Sequence, residues 1–334
     1  MKRFFGTLAS GEEAYIFTLK DGKSVAEVTT YGATLVSFRP FGDVNIVGGY
    51  DELSSYVTDT SNQGAIIARV ANRIEDATIT IDGAIYMLTA NQKGNCLHGG
   101  MFINNQIWGV ESFTENSITL TYYSPDGEEG FPHGLMIKVK YTLASSALII
   151  SYEAYPEGKT PVSMTNHAYF NLDGMGGDVK EHSLKVYANT YSKMDDRLIP
   201  TGEHPAVDGT PHNFKAMRKI GEFIGESFKG YDTNFIICPE IYKNFEKKQL
   251  ALAAVATNGV LELRAYTDRP CIHLYTPASM KSEPHFSGDV PRVALCGFCL
   301  EAQIEPNAVK HGEGIYDAGE VYTQMTVYEA ARVK

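Results

Sequence analysis

The sequence predicts an all-β protein, mostly antiparallel, with two large packed sheets, long functional loops and few short helices. Three observations predict it: runs of period-two alternation, turn dipeptides set between those runs, and a scarcity of helical periodicity. Residues 78–81 and 85–88 are short apolar-rich runs around Asp82-Gly83, and a type I′ hairpin turn is expected there because both residues tolerate positive φ. Residues 118–122 alternate through Ile118, Leu120 and Tyr122. In residues 136–143, Ile137, Val139, Tyr141 and Leu143 fall on one face and Lys138 and Lys140 on the other, the pattern of a half-buried strand. Ser145-Ser146 separates that run from residues 148–154, so the two read as a hairpin. Residues 192–213 are rich in Pro and Gly and read as loop. Residues 216–228 are the best helix candidate, with Ile220, Phe223, Ile224 and Phe228 on one face. Asn258-Gly259 between residues 252–255 and 261–264 predicts a second type I′ hairpin.

The 334 residues are expected to form a single domain, residues 1–334, with a seam near residue 160 as the alternative. A hydrophobic content of 43% supplies a large core, and no apolar run approaches the roughly 18 residues of a membrane span. Lys2-Arg3 is followed by Glu12-Glu13 before any long apolar region, so a cytoplasmic protein without a secretory signal is expected. A net charge of −11 with no basic tract repels phosphate backbones and argues against nucleic acid as a partner. The five cysteines contain one C-x-x-C spacing, Cys296 to Cys299, without the second ligand pair that a closed zinc site needs. Free thiols and no metal are expected.

Two strings carry chemistry. His167 stands in Thr165-Asn166-His167-Ala168-Tyr169-Phe170-Asn171, and Glu301 in Phe298-Cys299-Leu300-Glu301-Ala302-Gln303. A carboxylate that takes a proton and an imidazole that gives one can open and reclose a hydroxyl-bearing ring with no metal or redox cofactor. Ordinary carboxylates are ionised at neutral pH and ordinary imidazoles partly protonated, so each type is close to its working form. In Cys96-Leu97-His98-Gly99-Gly100 the paired glycines free the backbone after a third imidazole. A charged Glu301 beside the apolar run 293–296 is expensive in a strand unless it has a partner, which favours function.

These strings resemble the aldose 1-epimerase (galactose mutarotase) family. The resemblance runs in order through Tyr31-Gly32-Ala33, residues 64–74 (Gly-Ala-Ile-Ile-Ala-Arg-Val-Ala-Asn-Arg-Ile), residues 95–100, Asp126 to Pro132, residues 165–172, Tyr231 to Phe235, Leu300 to Gln303 and Gly319 to Tyr322. It implies a large antiparallel β super-sandwich and interconversion of the α and β anomers of free hexoses such as galactose and glucose, without a cofactor. It further implies Glu301 as the general base on the anomeric hydroxyl, His167 as the general acid on the ring oxygen, and His98 as support for that oxygen. Arg69 and Asp232 are implied to bind sugar hydroxyls. A small sugar is then the partner, and the protein a monomer or homodimer.

Plainer readings stand beside these. Arg69 could be a structural ion-pair partner, the role expected of Arg73; Asp232 could shape a turn after Gly230; Trp108, Tyr169 and Phe170 read as core packing. The chain also departs from the family pattern, with Ala68 and His133 where glycine is common, and with His273 in the place of a sugar-facing glutamine, which removes an amide able to donate and accept together and leaves hydroxyl selectivity open. Three other functions fit less well: a non-catalytic sugar-binding or sensing relative, which loss of the base or acid would signal, whereas both are present; an epimerase of phosphorylated sugars, which predicts a basic cluster where these strings supply only one or two arginines; and a glycosidase, which normally uses two carboxylates where the acid here is a histidine.

Overall fold

A computed structural model of the chain describes residues 1–333. Its largest element is a ten-stranded antiparallel sheet. The order is Gly109–Phe113, Ser117–Ser124, Leu135–Ala144, Ala147–Pro156, Tyr322–Arg332, Leu261–Thr267, Lys248–Thr257, Ser183–Val186 and Arg218–Lys219, with Tyr242–Phe245 also pairing with Lys248–Thr257. The C-terminal strand therefore lies between two hairpins that are far apart in sequence. Ile137, Val139, Tyr141 and Leu143 are all buried, as their alternation predicts, and each contributes roughly 1.5–3 kcal/mol through burial of apolar surface. One apolar cluster runs from Phe17 to Ala330 and joins this sheet to the N-terminal four-stranded sheet, Lys2–Thr7, Glu13–Asp21, Ser24–Thr29 and Leu35–Arg39.

A third sheet carries the chemistry-bearing residues. Its order is Ala188–Tyr191, Asp232–Ile237, Cys271–Tyr275 and Cys299–Gln303, all antiparallel. The large sheet supports its last strand from behind: the Tyr328 hydroxyl donates to the Leu300 carbonyl at 2.7 Å and the Gln324 amide to the Ala302 carbonyl at 3.1 Å. Reciprocal backbone bonds between Phe170 and Phe298 tie the segment after His167 to the approach to Glu301.

Two local expectations fail. Residues 216–228 form no α-helix; the segment is a two-residue strand, Arg218–Lys219, and one 3₁₀ turn, Ile220–Phe223. Gly221 and Gly225 each disfavour helix by about 1 kcal/mol, and no side chain caps the N-terminus. Ile220 is fully buried while Phe223 is exposed, so the 3.6-residue stripe was not a buried face. The second failure concerns a turn. Asp82 and Gly83 both have positive φ, as a type I′ turn requires, but at the other hairpin only Gly259 does. Asn258 instead accepts the Val260 and Leu261 amides through its side-chain oxygen, and this local bond closes a longer loop.

Candidate active site

Strand pairing arranges the site as a grid. Asp232 lies opposite Tyr275, which lies opposite Cys299; one step along, Asn234 lies opposite His273, which lies opposite Glu301. Paired residues, and residues two apart, share a face, so these six side chains project from the same side. Above that face opens a cavity of about 550 Å³, lined by Glu301, His273, Tyr275 and Asp232 of this sheet and by His98, Asn72, Arg73 and His167 from other segments.

His167 follows the short strand Thr165–Asn166, which pairs with Ile66–Ile67. Its amide donates to the Ala65 carbonyl and its carbonyl accepts from the Gly64 amide, both at 2.9 Å, so the ring emerges from a fixed backbone. His167 Nε2 stands 3.8 Å from Glu301 Oε1, and His167 Nδ1 lies 3.6 Å from Cys299 Sγ. A gap of 3.8 Å is too long for a hydrogen bond. The imidazole and the carboxylate face each other across an open gap. Glu301 is 2% exposed, and its Oε2 has no hydrogen-bond donor among the described residues. A buried carboxylate oxygen left so is costly.

His98 sits at φ +53° after the short strand Cys96–Leu97. Gly99 continues with positive φ, and a Cβ there would stand 2.4 Å from the Ala68 carbonyl oxygen, so the close approach requires glycine. His98 Nδ1 accepts the Asn72 amide at 3.2 Å, which leaves the proton of the neutral ring on Nε2. Burial, followed by the neighbouring His167 ring and Arg73 guanidinium, holds the His98 pKa well below the ordinary histidine value. His98 is thus a neutral donor beside His167, the ring centroids 5.4 Å apart and nearly perpendicular.

Asp232 is held from two sides. His273 Nε2 lies 2.7 Å from Oδ1, and Arg73 Nη2 lies 3.3 Å from Oδ2. Burial alone would raise the Asp232 pKa, but the hydrogen bond and charge of His273, with Arg73 beside it, pull it below the ordinary carboxylate value. Asn72 closes the circuit: its Oδ1 accepts from the Arg73 amide at 2.9 Å and Nη1 at 3.3 Å, and its Nδ2 faces His273 Nδ1 at 3.5 Å. Arg73 Nε donates to Gln92 at 2.6 Å. His273 therefore lines the cavity while both of its nitrogens face protein groups.

Of the residues singled out from sequence, Glu301, His167, His98, Asp232 and His273 meet around this cavity, and Arg69 does not. Arg69 is fully buried and donates to the Ser124 hydroxyl and carbonyl, the Pro125, Pro132 and His133 carbonyls and Thr160, at 2.8 to 3.0 Å. Burial pushes its pKa down to about 10. No donor is left for a ligand. Arg73, expected as a structural partner, lines the cavity and Arg69 does not, because the segment between them is not helical and the two guanidinium groups leave it toward different partners. Tyr169 is also more than packing: its ring lies 5.1 Å from that of His167 and lines the cavity. Trp108 and Phe170 are buried in the core, as expected. Tyr275 and Cys299 went unrecognised, although period two from His273 and Glu301 points to both.

The donor atoms of His167, Cys299 and Glu301 lie within 4.8 Å of one another, a spacing a divalent cation could bridge. Such a site needs the thiolate, and burial pushes the Cys299 pKa well above its ordinary value. The donor set suits proton transfer better than coordination.

Comparisons with known proteins agree with this chemistry. A family model described as aldose 1-epimerase matches residues 15–329. Galactose mutarotase of Rattus norvegicus is 33% identical over 340 residues, covering 97% of this chain and 96% of that protein. Aldose 1-epimerase of Escherichia coli K12 is 30% identical over 336 residues and 96% of each chain. Among solved structures, an aldose epimerase homologue from C. elegans superimposes with a TM-score of 0.85 at 25% identity over the whole of both chains. Galactose 1-epimerase from Lactobacillus acidophilus NCFM shares the fold, with a TM-score of 0.86 at 22% identity over 100% of this chain and 99% of that one. The match of the family model across residues 15–329 and the relatives aligned over nearly the whole chain, on this fold and with an imidazole facing a carboxylate across the cavity, make the chain a member of the aldose 1-epimerase family of isomerases.

Proposed function

We propose that the protein interconverts the α and β anomers of free hexoses such as galactose and glucose, with Glu301 as general base and His167 as general acid. The observation that carries this reading is the 3.8 Å gap between His167 Nε2 and Glu301 Oε1, together with the unpartnered Glu301 Oε2. Glu301 takes the proton of the anomeric hydroxyl while His167 delivers one to the ring oxygen, and the C1–O5 bond breaks. The electron pair of the C1 oxygen forms the aldehyde. Rotation about C1–C2 presents the other carbonyl face, and reclosure with the roles reversed returns both protons. Each transfer by a positioned group contributes typically 10²–10⁴-fold.

His98, with its proton on Nε2, donates to the ring oxygen and stabilises the charge developing there. Asp232 and Arg73, a carboxylate and a guanidinium, bind neighbouring sugar hydroxyls, and Asn72 and His273 hold them in place. The chain acts as one domain, in the cytoplasm, as a monomer or homodimer. Polarimetry on freshly dissolved α-D-galactose and α-D-glucose, with xylose and arabinose for comparison, tests the activity and ranks the substrates. The expected result is a faster approach to equilibrium rotation with hexoses; rates equal to buffer for all four sugars would overturn the reading.

A further inference from the structure

His167 has two ring nitrogens, and only Nε2 faces Glu301 across the gap. Nδ1 meets Cys299 Sγ at 3.6 Å. The other groups around the ring are His98, Tyr169 and Tyr275, with centroids 5.1 to 6.0 Å away. Cys299 precedes Glu301 by two residues, so one edge strand presents the base and the partner of the acid on the same face. The thiol is fully buried, and that burial keeps its proton on sulfur.

The chemistry of that partner suits a group that changes protonation state twice per turnover. A carboxylate at Nδ1 would favour the imidazolium strongly; a thiol sulfur is a weak, uncharged acceptor and holds Nδ1–H without that bias. With the imidazolium, the sulfur accepts Nδ1–H and the second proton lies on Nε2. When Nε2 gives up that proton the neutral ring keeps Nδ1–H on the sulfur, and bare Nε2 can take the next proton.

We propose that Cys299 is a positioning residue for His167: its thiol engages Nδ1 in both protonation states, so the proton exchanged with the sugar is always the one on Nε2. This rests on His167 being the general acid. It adds that the acid works from one nitrogen because the strand bearing the base supplies its partner.

The test compares Cys299→Ser, which keeps a hydroxyl donor and acceptor, with Cys299→Ala and Cys299→Val, which keep neither. In the mutarotation assay, Cys299→Ala and Cys299→Val should lower kcat by about 5- to 50-fold with KM within about twofold, and Cys299→Ser should recover most of the loss. Nitrogen-15 shifts of the His167 ring, assigned by its absence in His167→Asn, should show a single Nδ1–H tautomer of the neutral ring in the wild type and Cys299→Ser. The Ala variant should show a tautomer mixture. A kcat for Cys299→Ala or Cys299→Val within twofold of wild type, or an unchanged tautomer in both, overturns the positioning role. A fully active His167→Asn in the same assay would instead overturn the assignment of the acid.

Discussion

His273 Nε2 lies 2.7 Å from Asp232 Oδ1, and the same imidazole turns its Nδ1 toward the Asn72 amide at 3.5 Å. Both nitrogens are committed, so His273 aims a carboxylate rather than offering a donor to the sugar itself. A glutamine at this position could reproduce both bonds, with its amide nitrogen on Asp232 and its oxygen on Asn72. His273→Gln should therefore keep KM within about threefold. His273→Leu removes a hydrogen bond to a charged group, about 1.5–3 kcal/mol, and should raise KM by at least tenfold with a smaller change in kcat. A KM for His273→Leu equal to that of the wild type would show that Asp232 needs no such support.

Asp232 also predicts a pH dependence of stability. Its folded pKa lies below the ordinary value of 3.8, so folding favours the ionised form. Its stabilising contribution is complete above about pH 4–5 and is lost as the pH falls through the depressed folded pKa. Asp232→Asn should flatten the loss of stability below pH 4, measured as the urea midpoint from pH 6 to 2.5. Parallel curves for variant and wild type would contradict the assignment of that shift.

Arg69 and Arg73 separate structure from binding. Arg69→Met leaves six acceptors without their donor and should lower the melting temperature by more than 5 °C, a loss of about 3–5 kcal/mol. Arg73→Lys keeps the charge but loses the planar fork; its principal effect should be a higher KM, with the melting temperature within about 2 °C of wild type. Thermal melts and Michaelis curves on the two variants would show the reverse pattern if Arg69 touched the sugar.

The contrast between these arginines marks what could be read from the sequence. Alternation in residues 136–143 names the buried face because a strand has a fixed period, and Asp82-Gly83 names its turn because two positive φ values require it. Glu301 and His167 are legible because a charge in an apolar strand and an imidazole in a polar string both ask for an explanation. Arg69 and Arg73 lie four residues apart in one string, and nothing local says which turns outward. That depends on Ser124, Thr160 and Asp232, which tertiary structure brings in from distant segments. The 216–228 stripe misled for the same reason: apolar spacing was present, but the glycines and the shape of the core decided the conformation.

Chelation should leave the rate unchanged. The acid–base pair needs no Lewis acid, and Cys299, the third member of the one His/Cys/Glu cluster among the described residues, stays protonated. Reproducible loss of activity in EDTA, restored by one divalent ion, would require a mechanism through that cluster.

Glu301→Gln keeps the shape of the base and removes its basicity, so kcat should fall by about 10²–10⁴, or roughly 3–5 kcal/mol of barrier. Sugar binding should largely survive, as read by protection of the fold against heat. A variant keeping more than a third of wild-type turnover would remove Glu301 from the mechanism.

His98 and His167 stand side by side but should behave oppositely when pH is varied. The folded pKa of His98 lies well below 6.5, so folding disfavours its protonation; it withdraws stability as the pH falls below 6.5, and it stays neutral where the enzyme works. It can donate a hydrogen bond from Nε2 but has no second proton to transfer. With His167 as the donor in turnover and Glu301 as the acceptor, as proposed, kcat against pH should form a bell whose acid limb reports the carboxylate and whose basic limb reports the imidazolium. His167→Asn should remove most of the activity and the basic limb with it. His98→Asn should lower the rate by a smaller factor and keep both limbs, because it weakens stabilisation of the ring oxygen without touching the proton in flight. It should also ease the acid destabilisation below pH 6.5, which denaturant midpoints at pH 7.5 and 5.5 can read independently of activity. If His98→Asn proved the less active enzyme and lost the basic limb, the two imidazoles would have to exchange roles.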